Sequence, residues 1–291
     1  MIALTIGLAV FVGIALGLLG GGGSILTVPL LAYVAGMDAK AAIATSLLVV
    51  GVTSAIGAIS HARAGRVQWR TGLIFGAAGM AGAYAGGLLA RYIPGTILLI
   101  GFAVMMIATA IAMLRGRKTI ETGETGHRLP VPKIIAEGLI VGLVTGLVGA
   151  GGGFLVVPAL ALLGGLPMPI AVGTSLIVIA MKSFAGLAGY LTSVHINWTL
   201  ALAVTAAAVI GALIGARLTA MINPDSLRKT FGWFVLVMSS VILAQEIHPA
   251  VGITAAALTT LAAAMTVACN RYAHCPLHRL TTRLTTPKAA A

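Results

Sequence analysis

The residue in this sequence with the sharpest chemical implication is Lys182. It falls near the middle of an apolar stretch, residues 168–192, where a charged side chain costs roughly 2.5–3.5 kcal/mol on insertion scales. From that depth its stem falls short of either membrane interface. A cation held there suits the binding of an anion. Ser175 lies seven residues earlier and projects from nearly the same helix face, and with Thr174 it forms a pair of hydroxyls. A second pair, Thr45-Ser46, occupies another apolar stretch. Two glycine clusters complete the set: Gly17-Leu-Leu-Gly-Gly-Gly-Gly-Ser24 and Gly146-Leu-Val-Gly-Ala-Gly-Gly-Gly153. A helix interrupted at such a cluster exposes backbone N–H groups and a positive dipole end, and glycine lets those amides approach an oxyanion closely. The candidate substrate-binding residues are therefore Gly21, Gly22, Gly23, Ser24, Thr45, Ser46, Gly151, Gly152, Gly153, Thr174, Ser175 and Lys182. No catalytic residue, metal ligand or cofactor is assigned.

Each of these features has a plainer reading. Small residues at four-residue spacing let helices pack closely, which accounts for Gly82 with Gly86 and Gly211 with Gly215 but poorly for four adjacent glycines. Hydroxyls in apolar helices usually bond back to their own backbone. The glycine clusters lack the lysine of a Walker loop and the preceding strand of a dinucleotide fold. Ser24 and His61 could be cast as a nucleophile and base, but no third group orients them. His61 and Arg63 read as boundary residues at the cytoplasmic face. The acids Asp38, Glu121, Glu124, Glu137, Asp225 and Glu246 all fall in loops or near the ends of apolar stretches, which argues against a cation or proton relay at mid-membrane.

The elements that must position these residues repeat. Gly17 and Gly146 stand 129 residues apart, and the same offset pairs Pro29 with Pro158, Thr45-Ser46 with Thr174-Ser175, Ser54 with Ser183, and Trp69 with Trp198. Such ungapped agreement is an internal repeat. The expected organisation is a first transmembrane repeat over residues 1–115, a cytoplasmic linker over 116–133, and a second repeat over 134–245. An extra C-terminal helix over 246–270 and a basic cytoplasmic tail over 271–291 follow. Within the first repeat, a helix over 2–19 breaks at the glycines, and the apolar segment 24–36 is too short to cross about 30 Å of hydrocarbon. Ser24 is placed to cap it. Further spans are expected at 39–61, 70–90, 95–114, 168–192, 198–221 and 228–245.

Charge gives the orientation. Loop 61–70 carries Arg63, Arg66 and Arg70, whereas its counterpart 190–199 carries no Lys or Arg. The turn after Arg91 is poor in charge, and its counterpart 217–229 holds Arg217, Arg228 and Lys229. Basic loops face the cytoplasm, so the two repeats are expected to have inverted topologies, with the site between them at broken helices.

Composition sets the class. With 59% hydrophobic and 8% charged residues in 291 and a mean hydropathy of +1.08, the chain reads as an all-α polytopic helical bundle in the lipid bilayer; soluble domains carry about 25% charged residues. The formal charge of +12 fits cytoplasmic loops better than nucleic acid, for which no clustered basic face exists. Cys269 and Cys275 match no usual zinc spacing. No cleavable signal peptide is expected, because the N-terminus lacks a basic region. The oligomeric state stays open, a homodimer included.

Both glycine breaks followed by proline, both Thr-Ser helices (the second as Val-Gly-Thr-Ser-Leu) and the run Gly-Ala-Leu-Ile-Gly-Ala-Arg-Leu at 211–218 resemble the TauE/SafE sulfite exporter family, over about residues 5–245. The resemblance implies an inner-membrane permease for sulfite or a related sulfur-containing anion such as a sulfonate, sulfoacetate or thiosulfate. The expected function is secondary transport, as an exporter, by alternating access. An anion channel of the same fold and an intramembrane enzyme are the alternatives.

Overall fold

A computed structural model describes residues 2–19, 25–114, 131–149, 168–218 and 224–247, together with Val156, Leu160, Leu166, Thr254 and Ala257. The glycines 21–23 and 151–153, Ser24, most of the linker and nearly all of the chain beyond residue 247 lie outside these described residues.

Every regular element among the described residues is helical. In chain order they are α1 (Ile2–Leu19), the short α2 (Thr27–Pro29) continued by a wider π turn over Leu30–Val34, α3 (Ala39–Arg63), α4 (Trp69–Ala90) and α5 (Gly95–Leu114). The second half contributes α6 (Val131–Val148), α7 (Met168–Tyr190), α8 (Trp198–Leu218) and α9 (Pro224–Glu246). Four of them are long and apolar enough to cross a bilayer: Ala39–Arg63, Trp69–Ala90, Ile170–Tyr190 and Trp198–Leu218. Their lipid-facing sides carry exposed Leu73, Ile210 and Leu202; in water, apolar faces on this scale would drive association. The chain is a multi-pass membrane protein.

Local chemistry sets the boundaries. Asp38 caps α3 by accepting a hydrogen bond from the Lys40 N–H at 3.0 Å, as a carboxylate does for the free amides of a first turn. Gly65, at φ +67°, supplies the left-handed residue that turns α3 into α4. α6 begins at Val131, inside the stretch that composition gives to the linker. Pro132 sits in its first turn, where a missing N–H leaves no helical bond unmade.

Helix pairing is governed by glycines that admit a neighbouring backbone. A Cβ built on Gly13 or Gly17 of α1 would overlap the carbonyl oxygens of Ala208 and Ala212 in α8, and one on Gly211 or Gly215 those of Val10 and Ile14. In the same way Gly142 and Gly146 of α6 meet Gly79 and Ala83 of α4, and Gly82 and Gly86 of α4 meet Leu139 and Leu143. Each contact of the first pair maps onto one of the second by the 129-residue offset. In both pairs residue numbers rise together along the contact, so the paired helices run parallel. α3 and α7 instead cross antiparallel: Leu47 lies against Gly186, and Leu176 against Gly57. These two contacts also exchange under the same offset.

The contacts place the loops. The Lys40 Nζ donates to the Arg91 carbonyl at 3.0 Å, and the Tyr33 hydroxyl to Glu246 at 3.1 Å, so the starts of α3 and α5 and the end of α9 share one end of the bundle. At the other end the Gln68 N–H donates to Thr174 Oγ1 at 2.9 Å, which joins the α3–α4 turn to the first turns of α7.

Candidate functional site

Lys182 sits on α7 facing α4 and α6, with 1% of its surface exposed. The room for it comes from Gly79: a Cβ there would stand 3.9 Å from the Cβ and 4.0 Å from the Cδ of Lys182. Its Nζ donates to Thr145 Oγ1 at 3.2 Å. Thr145 is in turn oriented by donating its own proton to the Val141 carbonyl at 2.7 Å, which leaves its lone pairs toward the lysine. Tyr190, two turns along α7, fixes the same interface by donating to the Leu147 carbonyl.

No described acid balances this charge. Lys182 is the one charged side chain buried among the described residues, the other buried polar groups being serines, threonines and the Tyr190 hydroxyl. Asp38 is exposed, and Glu137 and Glu246 are partly exposed. Breaking a buried ion pair leaves an uncompensated charge that is strongly destabilising; here the pair was never built, and the electrostatic balance falls to dipoles or to a ligand. Among the described residues no cluster of His, Cys, Asp and Glu could hold a metal ion.

The four hydroxyls of the two Thr-Ser pairs are fully buried but are used differently. Ser46 Oγ donates to the Gly149 carbonyl at 3.3 Å, which ties the first-half pair to the entrance of the second glycine cluster. Thr45 Oγ1 has no hydrogen-bond partner. In α7, Thr174 accepts from Gln68, and Ser175 bonds back to the Val172 carbonyl at 2.8 Å. The structure thus brings Ser46 and Gly149 together, and puts Lys182 against α6, the helix that Gly149 ends. It sets Thr174 against the α3–α4 turn. His61 Nδ1 is buried without a partner beside that turn; its proposed companion Ser24 lies outside the described residues.

Sequence reasoning missed Thr145, the residue that holds Lys182. A lone threonine in α6 whose counterpart is Leu16 carries no repeat signal. Ser54 and Ser183 are partners in the repeat, a signal in sequence that carries no chemistry by itself. Both are buried and unpartnered.

The family model described as Sulfite exporter TauE/SafE matches residues 5–242. The chain belongs to that family. Among its relatives, a protein of Xylella fastidiosa (strain Temecula1) named "Probable membrane transporter protein" is 36% identical over 242 residues, covering 81% of this chain and 92% of the relative. The probable membrane transporter protein YunE of Bacillus subtilis is 32% identical over 249 residues, covering 78% and 89%. A probable membrane transporter protein of Methanocaldococcus jannaschii is 29% identical over 240 residues, covering 76% and 89%. No solved structure matches the chain significantly. As a TauE/SafE member it is a membrane transporter by family, and Lys182, Thr145 and the buried hydroxyls lie within the span the family covers.

Proposed function

We propose that this protein is an inner-membrane secondary transporter, an exporter rather than an enzyme, that carries sulfite or a related sulfur-containing anion by alternating access. One observation carries the choice of anion. A lysine buried between α4, α6 and α7 has the Thr145 hydroxyl as its hydrogen-bond partner and no described acid. Such a site lacks its counter-charge until an anion arrives. Membership of the TauE/SafE family supports sulfite as the first candidate.

Alternating access needs two related halves that can exchange roles, and inverted-topology repeats provide them. The parallel pairing of α1 with α8 and of α4 with α6, and the antiparallel crossing of α3 and α7, support that reading. So does a difference between the halves. Thr174 is engaged by Gln68, whereas its counterpart Thr45 is unpartnered, and Asn197, the counterpart of Gln68, caps α8 by accepting from the Leu200 N–H. The bond that fastens Gln68 to Thr174 has no equivalent at Thr45.

The function is tested by reconstituting the full chain in proteoliposomes and measuring flux of sulfite, sulfate, thiosulfate, sulfoacetate and taurine, with and without a pH gradient. Saturable sulfite flux is expected to exceed that of the other anions. Flux of none of the five would overturn the reading. Orientation is tested separately, with single cysteines at Gly65 and Ser193 in a background lacking Cys269 and Cys275. The two should react with an impermeant thiol reagent from opposite sides of the membrane. Labelling from the same side would exclude inverted repeats.

A further inference from the structure

Half of the buried serine and threonine hydroxyls among the described residues bond back within their own helix. Thr53 donates to the Val49 carbonyl at 2.7 Å, Thr109 to Met105 at 2.7 Å, Thr205 to Ala201 at 2.6 Å and Ser240 to Leu236 at 2.9 Å. This back-bonding is always at hand for a serine or threonine in a helix. Ser54 and Ser183 do without it. Ser54 is 2% exposed and Ser183 fully buried, and neither oxygen has a hydrogen-bond partner. A buried, unpaired hydroxyl is destabilising. Here the penalty occurs twice at positions related by the repeat, so it does not come from one local misfit.

The geometry gives both residues the same place. Ser54 lies seven residues after Leu47 and three before Gly57; Ser183 lies seven after Leu176 and three before Gly186. Residues three and seven apart share a helix face. Leu47 packs on Gly186 and Leu176 packs on Gly57, so those faces look at one another across the α3–α7 crossing. The two serines therefore sit between the two leucine–glycine contacts, one from each half. Lys182 precedes Ser183 in the chain, while Thr53, its counterpart beside Ser54, is bonded to its own helix.

We propose that Ser54 and Ser183 form a matched pair of hydroxyl donors for the transported oxyanion, one from each half, where α3 crosses α7, the helix that also carries Lys182. The inference rests on the anion-permease reading above and adds to it the residues that grip the ligand. Its chemistry follows from what the crossing lacks. Two unpaired hydroxyls, with Lys182 on a neighbouring face of α7 and no buried acid or amide side chain among the described residues, suit a ligand that accepts hydrogen bonds from more than one side. A small inorganic oxyanion such as sulfite meets that requirement. Charge-assisted bonds from a hydroxyl to an oxyanion are the strong kind.

The test compares wild type, Ser54→Ala, Ser183→Ala and the double variant of the full chain. Thermal stability in one detergent is measured without anion and across a sulfite titration, and sulfite flux is measured in proteoliposomes. Without anion the variants should be as stable as wild type or more so, because each substitution removes an unpaired polar group. The sulfite Kd should rise about 5–10-fold for each single variant and about 30-fold or more for the double, with subsaturating flux falling in step. A double variant that binds sulfite within about twofold of wild type, while Lys182→Gln does not, overturns the serine pair and leaves the anion site standing. Lower stability with an unchanged Kd also overturns it, by making the serines structural. If the double variant does not fold, the two singles decide by the same criteria. If wild type ignores sulfite but responds to another anion of the panel, sulfite is the wrong substrate, and the same variants titrated with that anion decide the serines. Binding of none overturns both.

Discussion

Lys182→Gln is expected to fold, insert and lose most of its anion response. The lysine is buried against Gly79 and Thr145 with no described acid to balance it. Glutamine keeps a donor for Thr145 Oγ1 and removes the charge. Without anion the variant should be at least as stable as wild type, since an uncompensated buried charge is destabilising. With anion it should bind more weakly by roughly 1.5–3 kcal/mol, the range of a hydrogen bond to a charged group. Lys182→Arg keeps the charge but presents a planar fork where a point charge stood, so it should retain partial binding with altered selectivity. The measurement is anion-dependent thermal stabilisation of the three proteins in one detergent, because a ligand that binds the native state raises its apparent stability. Equal shifts for wild type and Lys182→Gln would sink the role given to the lysine. The site would then rest on hydroxyls and backbone amides.

The helices were legible because their signals are local. Apolar stretches of membrane length give α3, α4, α7 and α8 to within a few residues at each end. The repeat was legible because it preserves residue identity: the offset that pairs the Thr-Ser motifs also relates the glycine contacts of α1 with α8 to those of α6 with α4. What could not be read is what depends on a partner far away in the chain. Thr145 holds Lys182 from 37 residues away, and nothing in α6 distinguishes it from the threonines that merely bond back. Thr174 and Thr45 look equivalent in sequence, yet the first is taken up by the Gln68 amide while the second is unpaired. That difference lies in how a loop closes over a helix start, which no local pattern encodes. The short segment expected over 24–36 contains α2 and the π turn at Leu30–Val34, but no apolar pattern marks the wider turn. It follows Pro29, whose missing N–H disturbs the regular ladder.

Gly149 is where a single methyl group should disturb the frame of the site in two separable ways. It closes α6 with φ +72°, and its N–H donates to the Thr145 carbonyl at 2.9 Å. It therefore ends the helix that carries the partner of Lys182 and opens the second glycine cluster. A Cβ added there would overlap Ile43 Cγ2 and stand 3.0 Å from Ile43 Cβ. Gly149→Ala should therefore suffer twice: about 1–2 kcal/mol for a left-handed conformation with a side chain, and about 1–3 kcal/mol for overpacking against α3. The two parts are separable. Ile43→Ala alone should destabilise by about 2–5 kcal/mol, as a buried isoleucine does when truncated. In the double variant it also removes the atom that the new methyl strikes, so the combined loss should fall short of the sum by about 1–3 kcal/mol. The backbone strain stays in both alanine variants at position 149. Strict additivity would mean that α6 moves aside freely and that Gly149 serves conformation alone. Coupling of the expected size would mean that Ile43 and Gly149 fix the distance between α3 and the second break. In that case anion flux should fall in Gly149→Ala and recover in part in the double variant, because Ser46, which bonds the Gly149 carbonyl, regains its place.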